Sequence, residues 1–208
     1  MRPRTRGTWL VALAVVCLSI AMMSVALTAR PANGSPPLNT RLLVLADMPT
    51  GWRAATAAST ESADVVTLGS CLALSRKLPK GGTQASATFS GPTGLPAFQE
   101  DLASGATGQA FFRSLVRGLS GCKTLSARTG SKSVTATVSS LRFPQVGVES
   151  HAFHLVVTET EVPLDLDVVL FRTARDVGFT GYLTLGSPGT ATRKTDIALT
   201  QKAARRAT

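Results

Sequence analysis

The sequence predicts an α+β domain built on an antiparallel sheet, and three observations lead to this prediction. Apolar and polar side chains alternate over residues 134–139, which is the period of a half-buried strand. Residues 106–120 instead carry apolar side chains at helical spacing. Three more strand-like runs follow with connections that suit hairpins, and such a run of strands with helices against one face is typical of the α+β class. These later runs are residues 150–159, 164–172 and 179–185.

The predicted helix at residues 106–120 is amphipathic. Its apolar residues recur at i, i+3, i+4 and i+7, so we expect it to lie on the sheet with its polar side in water. Ser104 or Thr107 can cap its start and Gly121 its end. The apolar residues are Phe112, Leu115, Val116 and Leu119, and the polar ones are Gln109, Arg113, Ser114 and Arg117.

Three further elements are predicted outside this central part. An earlier strand is expected at residues 84–90, with a weaker one near Phe98. Residues 192–207 are expected to form a C-terminal helix that buries Ile197 and Leu199. Basic residues close to the end of this helix favour the helix dipole, so part of the C-terminal charge has a structural role.

Composition excludes several classes of protein. The chain has 208 residues, 44% of them hydrophobic and 16% charged, which excludes an intrinsically disordered protein. Two His, three Cys, eight Phe, two Trp and one Tyr leave little from which to build a zinc ribbon, a multi-histidine metal centre or an aromatic RNA-binding platform. We therefore expect no cofactor and no metal site.

The formal charge of +10 is concentrated at the two ends of the chain. Residues 1–41 carry five Arg and no acid, and residues 193–208 carry five basic residues and one Asp. Residues 42–192 then hold 12 basic and 11 acidic residues, so the central part is almost neutral. A nucleic-acid-binding domain concentrates Lys and Arg on one face, and we predict that nucleic acid is not a partner.

The N-terminal 29 residues are predicted to be a signal peptide or a signal anchor. Arg2, Arg4 and Arg6 precede residues 8–29, an uncharged apolar run whose length lies between a secretory segment and a membrane-spanning helix. Both alternatives stay open: the domain is anchored in the membrane by residues 8–29, or it is secreted after cleavage. In either case we expect it outside the cytoplasm, after a Pro-, Gly- and Asn-rich linker at residues 30–40 and as one domain over residues 41–208.

Two cysteines remain beyond the leader, Cys71 and Cys122. Thiols oxidise in an exported domain, so a Cys71–Cys122 disulfide is the simplest prediction. Two free thiols are the alternative, but no Cys-x-x-Cys motif or histidine partner favours thiol chemistry. Cys17 lies inside the apolar leader and is interpreted as an apolar residue there.

The sequence carries few candidates for chemistry. His151 and His154 lie on a predicted strand, where a separation of three sends the two rings to opposite faces and argues against a metal site. Asp165 and Asp167 are two residues apart on a strand and share a face, as an acid/base pair would need, although a partly exposed sheet face is the simpler interpretation. The nucleophile elbow, the phosphate loop and the dinucleotide-binding glycine motif are absent.

The most specific string is LLVLADMPTGW at residues 42–52. By itself it predicts a short helix stopped by Pro49, a turn at Gly51, and Trp52 inserted into the core. It resembles the opening LLxxxDLPxGW element of actinobacterial exported sensor-like domains, a group that includes the extracellular domain of PknH-type kinases and stand-alone lipoproteins. Cys71 in a short Leu/Ala segment, Cys122 after an amphipathic helix and the FPQVG string at residues 143–147 also resemble this group.

The resemblance covers residues 38–207 and implies binding of an envelope ligand in a cleft, with no ligand residues that can be carried over. The kinase-linked domains have two disulfides where this one can form one, and the sequence contains no kinase domain. We therefore expect a non-catalytic sensor-like domain that binds a small cell-envelope ligand or a protein partner. The alternatives are an envelope hydrolase that uses a serine or the Asp165/Asp167 face, and an interaction module whose basic tail contacts anionic lipid or polymer.

Overall fold

The computed structural model of the protein describes residues 37–55, 83–105, 108–129, 132–157 and 163–208. The leader, the linker up to residue 36 and Cys71 lie outside these ranges, so the predictions made for them stay predictions.

The described residues contain one eight-stranded sheet in the order β1-β2-β3-β8-β7-β6-β5-β4. Every neighbouring pair of strands is antiparallel, as the sequence predicts. The strands are β1 Arg53–Ala54, β2 Thr83–Ser90, β3 Ala97–Ser104, β4 Thr124–Thr129, β5 Lys132–Ser140, β6 Glu149–Val157, β7 Leu164–Arg172 and β8 Asp176–Leu185.

Two α-helices and two short 3-10 turns accompany the sheet. Helix α1, Gly108–Ser120, carries the chain from β3 near the middle of the sheet to β4 at its edge. Helix α2, Thr190–Arg206, follows β8. The 3-10 turns, Leu38–Arg41 and Leu45–Asp47, precede β1.

The two helices cover opposite faces of the sheet. Val168 and Leu170 of β7 pack in the same cluster as the apolar side of α1, whereas Val169 and Phe171 pack with the end of α2. The expectation that helices lie against one face is therefore wrong. β7 is a nearly continuous apolar run from Val168 to Phe171, and such a run is typical of a strand that is buried on both sides.

The α2 face also receives the chain's opening segment. Leu43, Met48 and Trp52 pack with Leu199 of α2 and with Tyr182 of β8. The Trp52 and Tyr182 ring centroids are 6.3 Å apart, so the expected insertion of Trp52 into the core is confirmed. Gly51 makes the turn before it with a φ of +86°, a conformation that favours glycine.

Most predicted elements are present with shifted ends. The expected helices at residues 106–120 and 192–207 are α1 and α2, and the expected strand at residues 164–172 is β7. β4 has no counterpart among the predictions, and β3 is a full buried strand of eight residues rather than a weak one near Phe98.

Two predictions concern the membrane and the disulfide. Within the described ranges, neither helix is both long and apolar enough to cross a bilayer.

Cys122 is the one cysteine in those ranges; it is buried, and its sulfur lies 3.2 Å from the carbonyl oxygen of Thr124. Because Cys71 lies outside them, the disulfide stays a prediction.

Candidate functional site

Strands β6 and β7 bring His154, Asp165 and Asp167 together on the α2 face. His154 Nδ1 is 2.7 Å from Asp167 Oδ1, and His154 Nε2 is 3.0 Å from Asp165 Oδ1. The prediction that the two aspartates share a face is confirmed. The expected partial exposure of that face is wrong, because both aspartates are only 3% exposed.

Helix α2 adds further charges to this group. Arg193 Nη1 lies 2.8 Å from Asp167 Oδ2, so Asp167 is held between a guanidinium and an imidazole. Asp196, one turn along the helix, accepts a hydrogen bond of 3.3 Å from Thr200 Oγ1. We call His154, Asp165, Asp167, Arg193 and Asp196 the buried charge cluster.

The ionisation of Asp196 is strongly perturbed by its surroundings. Burial, together with the negative charge of Asp167, raises the pKa of Asp196 to about 7, and Arg193 offsets only part of this rise. Near neutral pH a large fraction of Asp196 is therefore protonated, and its proton can be donated to Asp167.

Both ring nitrogens of His154 face carboxylate oxygens of the cluster. The ring is therefore engaged on both sides by Asp165 and Asp167, and neither nitrogen is directed at an open site for a substrate or a metal. The described residues also contain no group of three or more His, Cys, Asp or Glu arranged to hold a metal ion.

His151 lies on the other face, as its spacing from His154 predicts. Its side chain is 44% exposed, its ring centroid is 6.1 Å from that of Phe112, and its Nε2 is 3.6 Å from Glu149 Oε1. The two histidines therefore belong to different environments.

A cavity of about 230 Å³ opens where β5 ends and β6 begins. β5 pairs with β6 only as far as Ser140, opposite Phe153, so the first residues of β6 have no β5 neighbour. Serine hydroxyls both donate and accept hydrogen bonds, so this lining suits a ligand rich in hydroxyl groups. We call it the edge pocket; its lining includes Ser120, Ser140, Phe143, Ser150, His151 and Phe153.

The distribution of acids and bases differs sharply between interior and surface. Of the eight acidic residues in the described ranges, only Glu149 has a well exposed side chain, at 37%, and Arg172 Nε lies 2.7 Å from it. Asp47 is 10% exposed, and the other six acids are buried. The near-neutral total of residues 42–192 hides this segregation. Asp167 and Asp176 are paired with Arg193 and Arg41, and burial raises the pKa values of three other acids, so the buried acids offset less of the surface charge than a count along the sequence suggests.

Half of the exposed basic residues in the described ranges lie in one stretch of the chain. Residues 102–148, which include α1 and the two strands β4 and β5 at one edge of the sheet, contain six basic residues and no acid. We call this part the basic end; its exposed bases are Arg113, Arg117, Lys123 and Arg142.

The opening string of residues 42–52 holds α2 and β3 together. The backbone N–H of Leu43 donates a 2.7 Å hydrogen bond to Glu100 Oε2 in the core. Burial, opposed by this hydrogen bond, raises the pKa of Glu100 to about 7. Asp47 Oδ1 is 2.9 Å from Lys202 Nζ, and Asp47 Oδ2 is 3.2 Å from Arg206 Nη1. Two bases of the C-terminal tail are thus engaged within the domain.

Sequence reasoning found Asp165, Asp167 and both histidines but missed Arg193 and Asp196. These two residues belong to α2, and nothing in the local pattern indicates which strand the helix will cover. The edge pocket likewise depends on where β5 ends relative to β6.

No protein-family model and no curated protein matches the chain. Among solved structures, the fold is similar to the crystal structure of the extracellular domain of PknH from Mycobacterium tuberculosis, with a TM-score of 0.56 and 10% sequence identity. The superposition covers 78% of this chain and 92% of that domain. The fold implied by the opening string is therefore confirmed.

Proposed function

We propose that this protein is a non-catalytic, extracytoplasmic sensor-like domain that binds a cell-envelope ligand or an envelope protein. The observation that carries the proposal is the fold that it shares with the extracellular domain of PknH. The leader at residues 1–29 supports the same location, with the domain anchored by residues 8–29 or secreted after cleavage.

The edge pocket is the site that we assign to a small ligand. It is concave, its hydroxyls can form hydrogen bonds in either direction, and Phe143 offers an aromatic surface beside them. The buried charge cluster is less suited to this role, because its carboxylates are covered by α2 and already paired.

The hydrolase alternative has two forms, one that uses a serine and one that uses Asp165 and Asp167, and the second form would need that face to reach a substrate. Both carboxylates are 3% exposed, and His154, the one nearby base candidate, faces a carboxylate with each ring nitrogen. The arrangement supports an ion-pair network that fixes α2 on the sheet. We therefore do not assign catalysis to these residues.

The test compares ligand binding with turnover in the full chain kept in neutral detergent. Monosaccharides, disaccharides and short peptides would be screened by the shift in Tm, since a ligand at about 100 times its Kd adds roughly 2.7 kcal/mol to stability. We expect a ligand that raises the Tm of the wild type but not that of Ser140→Leu, which fills the pocket. Ser114→Leu, on the exposed side of α1, is the matched control and should respond like the wild type.

The same preparation would be assayed on ester, peptide and glycoside substrates beside Asp167→Asn. Turnover by the wild type that the variant loses would replace the binding proposal with the hydrolase. The binding proposal would also be overturned if no ligand shifts the Tm and the purified full chain, used as bait, captures no envelope protein.

A further inference from the structure

The exposed bases of the basic end are available to a partner. Within the described ranges, Arg113, Arg117, Lys123 and Arg142 form no ion pair with an acid. Arg113 and Arg117 are four residues apart on α1, so they lie on the same side of the helix.

The C-terminal tail, which holds five basic residues against six in the basic end, is a poorer candidate. Arg193 is paired with Asp167, and both Lys202 and Arg206 are paired with Asp47. The field that an anionic partner meets is therefore set by the basic end more than by residues 193–208.

The edge pocket adjoins this basic end. Ser120, which lines the pocket, ends α1 three residues after Arg117, and Lys123 follows three residues later. Arg117 also offsets the negative end of the α1 dipole beside the pocket. Glu149 is the acid closest in sequence to the lining, and Arg172 matches its charge.

The chemistry of the partner follows from these two features together. A bilayer surface would be attracted by the bases but would leave the pocket without a role, and the apolar side of α1 is already buried against the sheet. Single-stranded nucleic acid needs several aromatic side chains on which successive bases stack. The large exposed apolar side chains of the described residues are Val and Leu, and Phe143 of the pocket is half-buried and could stack with one base at most. A polymer that carries both hydroxyl and anionic groups fits the pocket and the spread of bases at once.

We propose that the basic end and the edge pocket together bind an anionic glycan chain, one sugar unit in the pocket and its acidic groups along α1. This inference rests on the proposed function and names the class of envelope ligand. The pocket supplies hydroxyl contacts, and the guanidinium groups of Arg113 and Arg117 donate hydrogen bonds to carboxylate, sulfate or phosphate oxygens.

The test measures binding of the full chain, in neutral detergent, to fluorescent dextran sulfate, polygalacturonate and uncharged dextran. We expect both anionic polymers to bind with an affinity that falls as salt rises, and uncharged dextran to bind weakly or not at all. Arg113→Gln/Arg117→Gln should weaken binding about tenfold, which is of the order expected for two basic groups near an anionic surface. Ser140→Leu should weaken binding while leaving the salt dependence close to that of the wild type.

The matched control is Lys194→Gln/Arg205→Gln, which removes two exposed charges from α2 and should change the affinity less than twofold. Equal losses of affinity in the two double variants would mean that the polymer responds to the total charge of the protein. That result would overturn the assignment of the basic end as the binding surface. Absence of binding to both anionic polymers would overturn the glycan, while the Tm screen decides the proposed function independently.

A lipid partner is distinguished by partition of the wild type and of Arg113→Gln/Arg117→Gln into phosphatidylcholine vesicles with and without phosphatidylglycerol. The basic leader is the same in both proteins, so the difference between them reports the basic end. If the wild type prefers anionic vesicles and binds no polysaccharide, and the Arg113→Gln/Arg117→Gln variant lacks this preference, the basic end binds lipid. That result would overturn the proposal of a glycan ligand.

Discussion

Asp196 shows how a single buried carboxyl couples the structure to pH. The carboxyl lies under α2 beside Asp167 and Arg193, and Asp165, His154 and Tyr182 are ionisable groups of the same face. Burial and the charge of Asp167 favour its protonated form and raise the pKa of Asp196 to about 7. Burial of the phenol raises the pKa of Tyr182 to about 12, and the negative charge of Asp196 adds to this rise.

Asp196→Asn should remove part of the pH dependence of stability. A carboxyl whose pKa is higher in the folded state stabilises the fold most below its ordinary pKa, and this contribution is lost as pH rises through about 7. The wild type should therefore lose up to a few kcal/mol between pH 4 and pH 8 through this residue, and the amide, which can still donate to Asp167, should not. Urea unfolding at pH 4, 6 and 8 measures the difference.

Glu100 and Asp101 have raised pKa values of about 7 and about 6, mainly through burial, and act in the same direction. Both residues are present in the wild type and in Asp196→Asn. The difference between the pH dependences of the two unfolding free energies therefore reports Asp196 alone. Parallel stability curves for the two proteins would show that the carboxyl is ionised in the fold throughout and would contradict the prediction.

At the scale of elements, the contact between the opening string and α2 is electrostatic as well as apolar. Burial acts to raise the pKa of Asp47, but hydrogen bonds from Lys202 and from the backbone of Val44, with the charge of Arg206, hold it below the usual range. Asp47→Asn keeps an oxygen for the Val44 N–H and removes the charge. We expect a loss of about 1 to 2 kcal/mol, because the carboxylate is largely buried while its partners are partly exposed.

Denaturant unfolding measures this loss, and hydrogen exchange should show faster opening of the last turns of α2. Glu149→Gln is the matched control, since it removes a charge whose pair with Arg172 is exposed, and little or no change is expected. A loss in Glu149→Gln as large as that in Asp47→Asn would contradict the assignment of a special role to Asp47.

Elements with a local periodic pattern could be predicted from the sequence, and those fixed by distant contacts could not. α1 was predictable because its apolar stripe is contained in the helix itself. β3 was underrated because Gln99, Glu100 and Asp101 interrupt its apolar pattern, yet all three are buried. Their burial depends on partners elsewhere, such as the Leu43 N–H that binds Glu100.

The candidate site was less predictable than the fold for the same reason. The shared face of Asp165 and Asp167 follows from the strand period. Which helix covers that face does not follow, because β7 is apolar on both faces and could receive a helix on either. The edge pocket exists because the pairing of β5 with β6 stops at Ser140, before the first residues of β6. An alternating sequence pattern locates the ends of a strand only to within a few residues, so it does not specify such a pocket.

At the scale of the whole molecule, acids face inward and bases face outward in the described part of the chain. A net charge counted along the sequence weighs a buried Asp that is paired or protonated equally with an exposed, unpaired Arg, whereas the field next to the surface is set mostly by the charges nearest to it. This is why the central part looks neutral in composition and cationic as a surface. The proposed glycan binding depends on this difference.

The whole molecule should also be stabilised by the predicted disulfide between Cys71 and Cys122. The bridge would close a loop of about 52 residues and contribute roughly 4 kcal/mol in the chain-entropy model. Cys122 is buried at the junction between α1 and β4, so its replacement would also disturb packing, and Cys71→Ser is the cleaner variant. We expect the oxidised wild type to be more stable than oxidised Cys71→Ser by about that amount, and the two proteins to be equal after reduction. Peptide mass mapping of the exported protein after alkylation checks the bridge directly: both thiols protected until reduction is the expected result, and two alkylated thiols without reduction would show the prediction to be wrong.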